Sequence, residues 1–160
     1  MTTLSAILAI GLLTGVPAEV AELVLPDQRG DRDSLAAHRG DVVVAMVVTA
    51  RRLRNLKGWE RDLRDRFDEV EFFRVADVPD DPPVTYQDVV DKLAERIPEG
   101  VSVLIDVDRR WSTELGLDTG RPNILLIDRE GNLAARFRGR SEPELVEEVS
   151  RKIEELLRKP

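Results

Sequence analysis

Val42–Val48 reads VVVAMVV, an unbroken apolar and largely β-branched run that follows the turn signals Arg39-Gly40-Asp41. A run of this length and type suits a strand buried on both faces, the central parallel strand of an α/β sheet. Upstream, Glu22–Asp27 predicts a short strand and Gln28-Arg29-Gly30-Asp31 a turn with Gly30 at positive φ. Downstream, Leu53, Leu56, Trp59 or Glu60, Leu63 and Phe67 recur at helical spacing, so Thr49–Phe67 predicts a helix with a kink at Gly58. Glu69–Val75 predicts a second strand, and the proline-rich stretch Asp77–Pro83 a loop. Thr85–Ile97 predicts an amphipathic helix with Val89, Val90, Leu93, Ala94 and Ile97 inward, ended by Pro98-Glu99-Gly100. Val101–Asp106 is the next strand, followed by a short helix over Trp111–Leu115. Pro122–Asp128 and Leu133–Phe137 flank the turn Arg129-Glu130-Gly131-Asn132 as a hairpin, and Pro143–Leu157 carries Leu145, Val146, Val149, Ile153, Leu156 and Leu157 on one helical stripe. The elements place parallel units first and an antiparallel hairpin last, which predicts an α/β fold with a mixed sheet covered by helices on both faces.

Composition narrows the chemistry. The 160 residues include no cysteine, which excludes disulfides, thiolate metal sites and thiol nucleophiles. One histidine, His38, leaves no histidine-rich metal site; it falls in a turn and reads as a surface residue, although its pKa range suits general acid–base work. A formal net charge of -7 argues against a nucleic-acid backbone as partner. Arg61-Asp62-Leu63-Arg64-Asp65-Arg66 predicts a solvated face of short-range ion pairs. Residues 19–160 form one domain, with no repeat or low-complexity segment. Residues 1–18 stand apart: LSAILAIGLL from Leu4 to Leu13 is too short to span a bilayer, and Gly15-Val16-Pro17-Ala18 matches a signal-peptidase site. The segment therefore reads as a secretory leader cleaved before Glu19, with a packed apolar helix as the alternative, because Met1-Thr2-Thr3 lacks a positive side chain. Export to a bacterial periplasm or envelope follows from the first reading, with no stable membrane span in the mature chain.

Three local words in this order resemble the thioredoxin superfamily, in particular its redoxin group of thiol peroxidases and TlpA-like disulfide reductases. Leu25-Pro26-Asp27-Gln28-Arg29-Gly30, with Ser34-Leu35 and Arg39-Gly40, is similar to that group's opening hairpin. Val42–Val48 stands where its central strand delivers the active-site loop, and Gly120-Arg121-Pro122 through Ile127-Asp128-Arg129-Glu130-Gly131 resembles its G-x-P…I-D-x-x-G exit. Val75–Ile97 and the sequence around Trp111 also resemble exported YtfJ-like proteins. The resemblance spans about Leu23–Leu157. It implies a three-layer sandwich with an N-terminal β-hairpin extension, and a cis Arg121–Pro122 bond facing the catalytic loop, a form found in only about one X-Pro bond in twenty.

At the catalytic loop the sequence departs from the resemblance. Where the family carries its cysteines, this chain reads Thr49-Ala50-Arg51-Arg52-Leu53-Arg54, with Arg51 and Arg54 at the two cysteine positions. Arginine offers neither nucleophile nor redox couple, so thiol activity does not carry over and no cofactor is implied. Three cations opening a helix oppose its dipole, which predicts a helix that begins later or an anion held among them. The candidate binding face is therefore Thr49, Ala50, Arg51, Arg52, Arg54, Arg121 and Pro122. Its partner would be a protein or a small anionic ligand, and a solvated loop without a role is the plainer alternative. A non-thiol enzyme acting on an anionic substrate through the Arg51, Arg54 and Arg121 cluster, with His38 as a further candidate, is the second functional reading. Trp59 and Trp111 read as core. Asp106, Asp108 and Asp128 sit at strand ends, with Asp108-Arg109-Arg110 predicting local pairing rather than a metal loop.

Overall fold

The computed structural model describes residues 14–98 and 100–160; the apolar run of residues 4–13 lies outside the described residues. The strands are β1 (Thr14–Gly15), β2 (Leu25–Pro26), β3 (Arg32–Asp33), β4 (Val43–Thr49), β5 (Glu71–Asp77), β6 (Leu104–Asp106), β7 (Asn123–Ile127) and β8 (Asn132–Arg138). The α-helices are α1 (Ala18–Ala21), α2 (Lys57–Arg64), α3 (Tyr86–Arg96), α4 (Arg110–Leu115) and α5 (Pro143–Arg158). Six strands form one sheet in the order β1-β8-β7-β4-β5-β6, and β2 and β3 form a separate hairpin. Strands β4, β5 and β6 run parallel, and β7 and β8 return antiparallel.

Side-chain alternation along β4 divides the core in two. Val44, Met46 and Val48 meet Trp59 and Leu63 of α2 and Val149 and Ile153 of α5. Val43, Ala45 and Val47 meet Val20 of α1, Leu35, and Trp111 and Leu115 of α4. Helix α3 covers Ala76, Val103 and Ile105 on the α2 face. All of Val42–Val48 is buried, as the unbroken apolar run predicts, and each of the larger side chains contributes about 1.5–3 kcal/mol by that burial. The two tryptophans are core, at 0% and 1% exposure. Trp59 also donates its indole N–H to the Gly139 carbonyl at 3.0 Å, pinning α2 to the connection before α5.

The predicted helix over 49–67 is two elements. Ala50–Leu56 is a 3₁₀ segment and the α-helix begins only at Lys57. The break lies at Arg52 (φ −127°, ψ 26°), not at Gly58. A late start keeps Arg51, Arg52 and Arg54 out of the first α-helical turn, where cations are unfavourable. Gly58 instead permits a close approach. A Cβ there would lie 2.1 Å from Ser141 Oγ and 3.3 Å from its Cβ, so its absence lets the chain before α5 pack against α2. Arg121–Pro122 is also a correction, because the cis bond of the described chain is Asp81–Pro82. Arg121–Pro122 is trans, the lower-energy form of an X-Pro bond. Asn123 Nδ2 donates to the carbonyls of Asp118 (2.8 Å) and Arg121 (3.1 Å).

The N-terminal hairpin seals the β6 edge of the sheet. Its turn passes through Gly30 at φ +85°. Gln28 Oε1 accepts from Val103 N at 2.9 Å while its Nε2 donates to the Val101 carbonyl, so one side chain stands in for a neighbouring strand. Asp27, 1% exposed, is the hub: its carboxylate accepts from Arg29 N (2.8 Å), Asp31 N (3.0 Å) and Ser102 Oγ (2.9 Å), and its carbonyl accepts from Tyr86 Oη (2.6 Å). Burial by itself raises the Asp27 pKa, but the Arg29 amide, the Ser102 hydroxyl, the Arg29 guanidinium and the Asp31 amide together hold it below the ordinary value. A depressed carboxyl stabilises the fold at pH above its unfolded pKa, and that contribution is lost as pH falls through the folded value. Asp27→Asn should therefore cost about 1–3 kcal/mol in urea unfolding at pH 7. The difference from wild type should shrink below the unfolded value of 3.8; a constant difference across that range would refute the role of the charge.

Candidate functional site

The C-terminal ends of β4, β5 and β6 open on one edge of the sheet, the position where open α/β sheets place ligands. Strand β4 delivers Thr49, whose N–H donates to the Thr119 carbonyl at 2.9 Å. Strand β5 ends at Asp77 and β6 at Asp106, which are paired positions of the two strands. A cleft of about 330 Å³ lies on this edge, with Thr49, Arg51, Arg52, Asp77, Arg109 and Thr119 in its lining.

Arg51 and Arg52 enter the cleft from the 3₁₀ segment. Arg51 Nη2 donates to the Pro82 carbonyl at 3.2 Å, and Arg52 Nη1 to the Gly120 carbonyl at 2.9 Å. Both are exposed, and among the described residues neither has a carboxylate within 4.0 Å. Of the other predicted face residues, Thr49 lines the cleft; Ala50 lies behind it against α3 with Val84 and Val89. Arg54 is exposed and does not line the cleft. Arg121 is likewise exposed and outside it, and Pro122 is buried. The structure thus gathers Arg51 and Arg52, not Arg51 and Arg54, around the opening.

Three contributors escape a reading of the sequence: Asp77, Arg109 and Thr119. Asp77 is 1% exposed and accepts from Thr119 Oγ1 (2.6 Å) and Ser112 Oγ (3.0 Å), with Arg109 Nη2 at 3.3 Å. Arg109 does not pair with its neighbour Asp108. Its backbone is left-handed (φ 53°), which turns the side chain toward Asp77 and, at 3.9 Å, Asp80. The sequence places Asp77 at the start of a proline-rich loop, and its burial at the end of β5 beside Asp106 leaves no local signal. Asp106 accepts from Trp111 N (2.8 Å) and Arg110 N (3.1 Å) and so caps α4. Among the described residues no three His, Asp or Glu side chains gather as a metal-binding group. His38 stands elsewhere and is not a lone surface residue: its Nε2 lies 2.8 Å from Asp33 Oδ2 and its ring meets Phe73 edge-on at 5.3 Å.

No protein-family model matches the sequence, and no curated protein matches it. Solved structures do match in fold. The exposed lipoprotein thioredoxin of Streptococcus pneumoniae superposes with a TM-score of 0.69 at 18% identity, over 84% of this chain and 98% of that one. DsbF of MTB gives 0.65 at 17% identity, over 88% and 98%. Peroxiredoxin Q of Xanthomonas campestris gives 0.65 at 16% identity, over 91% and 96%. The fold is thioredoxin-like, in a chain without cysteine.

The burial of Asp106 has a pH-dependent consequence. Burial raises the Asp106 pKa, the Trp111 and Arg110 amides pull it back, and the charges of Asp77 and Asp108 push it up again, for a net rise. A raised carboxyl binds its proton more tightly folded than unfolded, so stability declines as pH rises from the unfolded value of 3.8 through the folded one. Asp106→Asn keeps one acceptor for the α4 amides and removes the titration. Urea midpoints measured upward from pH 4 should fall less in this variant than in wild type, and parallel curves would refute the assignment.

Proposed function

We propose that the chain is a binding module on a thioredoxin-like fold, without thiol–disulfide or peroxidase activity, that holds an anionic group of a partner protein or small ligand in the cleft of Arg51 and Arg52. The supporting observation is the pairing state of these two arginines. Each gives one N–H to a backbone carbonyl and, among the described residues, meets no carboxylate, so most of its five donors remain for a ligand. Arg109 is neutralised by Asp77, and Asp118 by Arg138, so the free charge of the cleft is positive in a chain of net charge -7. Opposed charge at a cleft raises both encounter rate and selectivity for anions. The non-thiol enzyme reading has less support: it needs Arg54 and Arg121 beside Arg51, and neither lines the cleft, nor does His38, its further candidate.

Titration with inorganic phosphate, followed by amide NMR, should move Thr49–Arg52 and Thr119–Gly120 saturably. Arg51→Ala with Arg52→Ala should weaken that binding by about tenfold or more, the loss of roughly 1.4 kcal/mol or more of charge-assisted contact. Shifts that persist in the double variant, or reduction of insulin disulfides by the pure protein, would overturn the reading.

We further propose export, supported by the apolar run of residues 4–13 ahead of Ala18 and by lipoproteins among the proteins of similar fold. Among the described residues no helix is long and apolar enough to cross a membrane. Mass spectrometry of the protein from its native host should find Glu19 first. A chain that retains Thr14–Gly15, the residues paired with Leu133 and Asn132 of β8, would reject cleavage at this point.

A further inference from the structure

A second opening lies between helices α2 and α3 and shares no lining residue with the arginine cleft. Its volume of about 480 Å³ falls within the roughly 300–1,000 Å³ of small-molecule sites, which commonly form between helices. Leu53 and Leu56 form one wall; Ile97, Pro98, Val101 and Val103 form the other. The floor is polar but closed. Arg74 of β5, 8% exposed, makes a bidentate pair with Glu60 of α2, with Nη2 at 2.8 Å from Oε2, and its Nη1 donates to the Ser102 carbonyl at 3.3 Å.

The charged residues of the groove are Lys57, Arg61, Arg64, Arg74 and Arg96 against Glu60 and Asp65. Glu60 is occupied by Arg74 and, at 3.5 Å, Arg64; Arg61 turns to Asp62 at 3.1 Å. Lys57 and Arg96 are exposed and stand on opposite sides, and among the described residues neither has a carboxylate within 4.0 Å. A net positive mouth over apolar walls, in a chain of net charge -7, complements a molecule with an anionic head and an apolar tail. The groove's concave volume of about 480 Å³ matches a small ligand.

We propose that this groove binds a single-chain amphipathic carboxylate, its head between Lys57 and Arg96 and its tail along Leu53, Leu56, Ile97 and Val101. The proposal is independent of the arginine cleft. Calorimetric titration of the full chain with decanoate, below its micellar concentration, should show saturable one-to-one binding. Decyltrimethylammonium, with the same tail and the opposite charge, should bind at least tenfold more weakly. Lys57→Ser with Arg96→Ser alters only exposed side chains and should weaken decanoate at least tenfold; Val101→Trp should abolish its binding by filling the groove. Arg51→Ala with Arg52→Ala should bind decanoate as wild type does. Absence of saturable decanoate binding, equal affinity for the two head charges, or unchanged affinity in the Lys57 and Arg96 variant would overturn the proposal. So would capture by phosphatidylglycerol vesicles without binding of free decanoate.

Discussion

Strand β4 is buried on both faces through Val48, so the chain first reaches solvent at Thr49, beside the ends of β5 and β6. Much of the rest depends on that constraint. Covering both faces requires two sets of helices, and the helix after β4 must start at this edge and return along the sheet. The same edge collects whatever residues end the parallel strands. Here two of them are carboxylates, Asp77 and Asp106, at paired positions and each 1% exposed. Adjacent buried carboxylates repel, and an unpaired buried charge is costly. The molecule resolves this unequally. Asp77 receives two hydroxyls and a guanidinium, while Asp106 receives only backbone N–H groups, and burial raises the Asp106 pKa above the ordinary carboxyl value. Left-handed backbone at a non-glycine residue costs roughly 1–2 kcal/mol, and at Arg109 the ion pair to a buried Asp77 offsets it.

Arginine plays physically distinct parts in this chain, and at the cleft the distinction bears on candidate function. Arg74 and Arg109 compensate carboxylates that the fold has already buried or half-buried, so their charge is committed. Arg61, Arg64 and Arg66 pair with Asp62, Glu60 and Glu147 across the α2 surface, where such pairs contribute at most about 1 kcal/mol. Arg51 and Arg52 belong to neither group, because their partners are carbonyl oxygens, which satisfy hydrogen bonds without cancelling charge. An uncancelled pair of charges at the mouth of the sheet is the feature a ligand can use.

The strands, their order and the two-sided core were legible because each depends on a local pattern. A run such as Val42–Val48 is apolar for its own burial, and α5 carries its stripe within sixteen residues. Features set by distant partners were not legible. The 3₁₀ segment of Ala50–Leu56 shares its apolar spacing with an α-helix, so Leu53 and Leu56 could not show where the α-helix begins. Gly58 is small because of Ser141, and Arg109 turns away from its sequence neighbours toward Asp77. At the cleft, both Arg51 and Arg52 belong to the face expected from the sequence, but which of its arginines converge depends on the non-helical backbone at Arg52 and on distant carbonyls at Pro82 and Gly120. His38 was misjudged for a related reason: Asp33, five residues earlier, reaches it only because the 3₁₀ turn Leu35–His38 folds the chain back.

The Arg74–Glu60 pair connects the core to the groove above it. Position 74 points to the helix-covered face of the sheet, where its neighbours along β5 and β6 are apolar residues such as Ala76 and Val103. A buried ion pair at such a place is rarely more stabilising than an apolar pair of equal volume, because desolvation consumes most of the attraction. Its effect here is geometric. The bidentate contact holds the Glu60 turn of α2 over β5, and the third contact, to the Ser102 carbonyl, fixes the guanidinium toward the start of β6. Arg74 and Glu60 both line the interhelical groove, so the pair that anchors α2 to the sheet also forms the polar part of the groove floor.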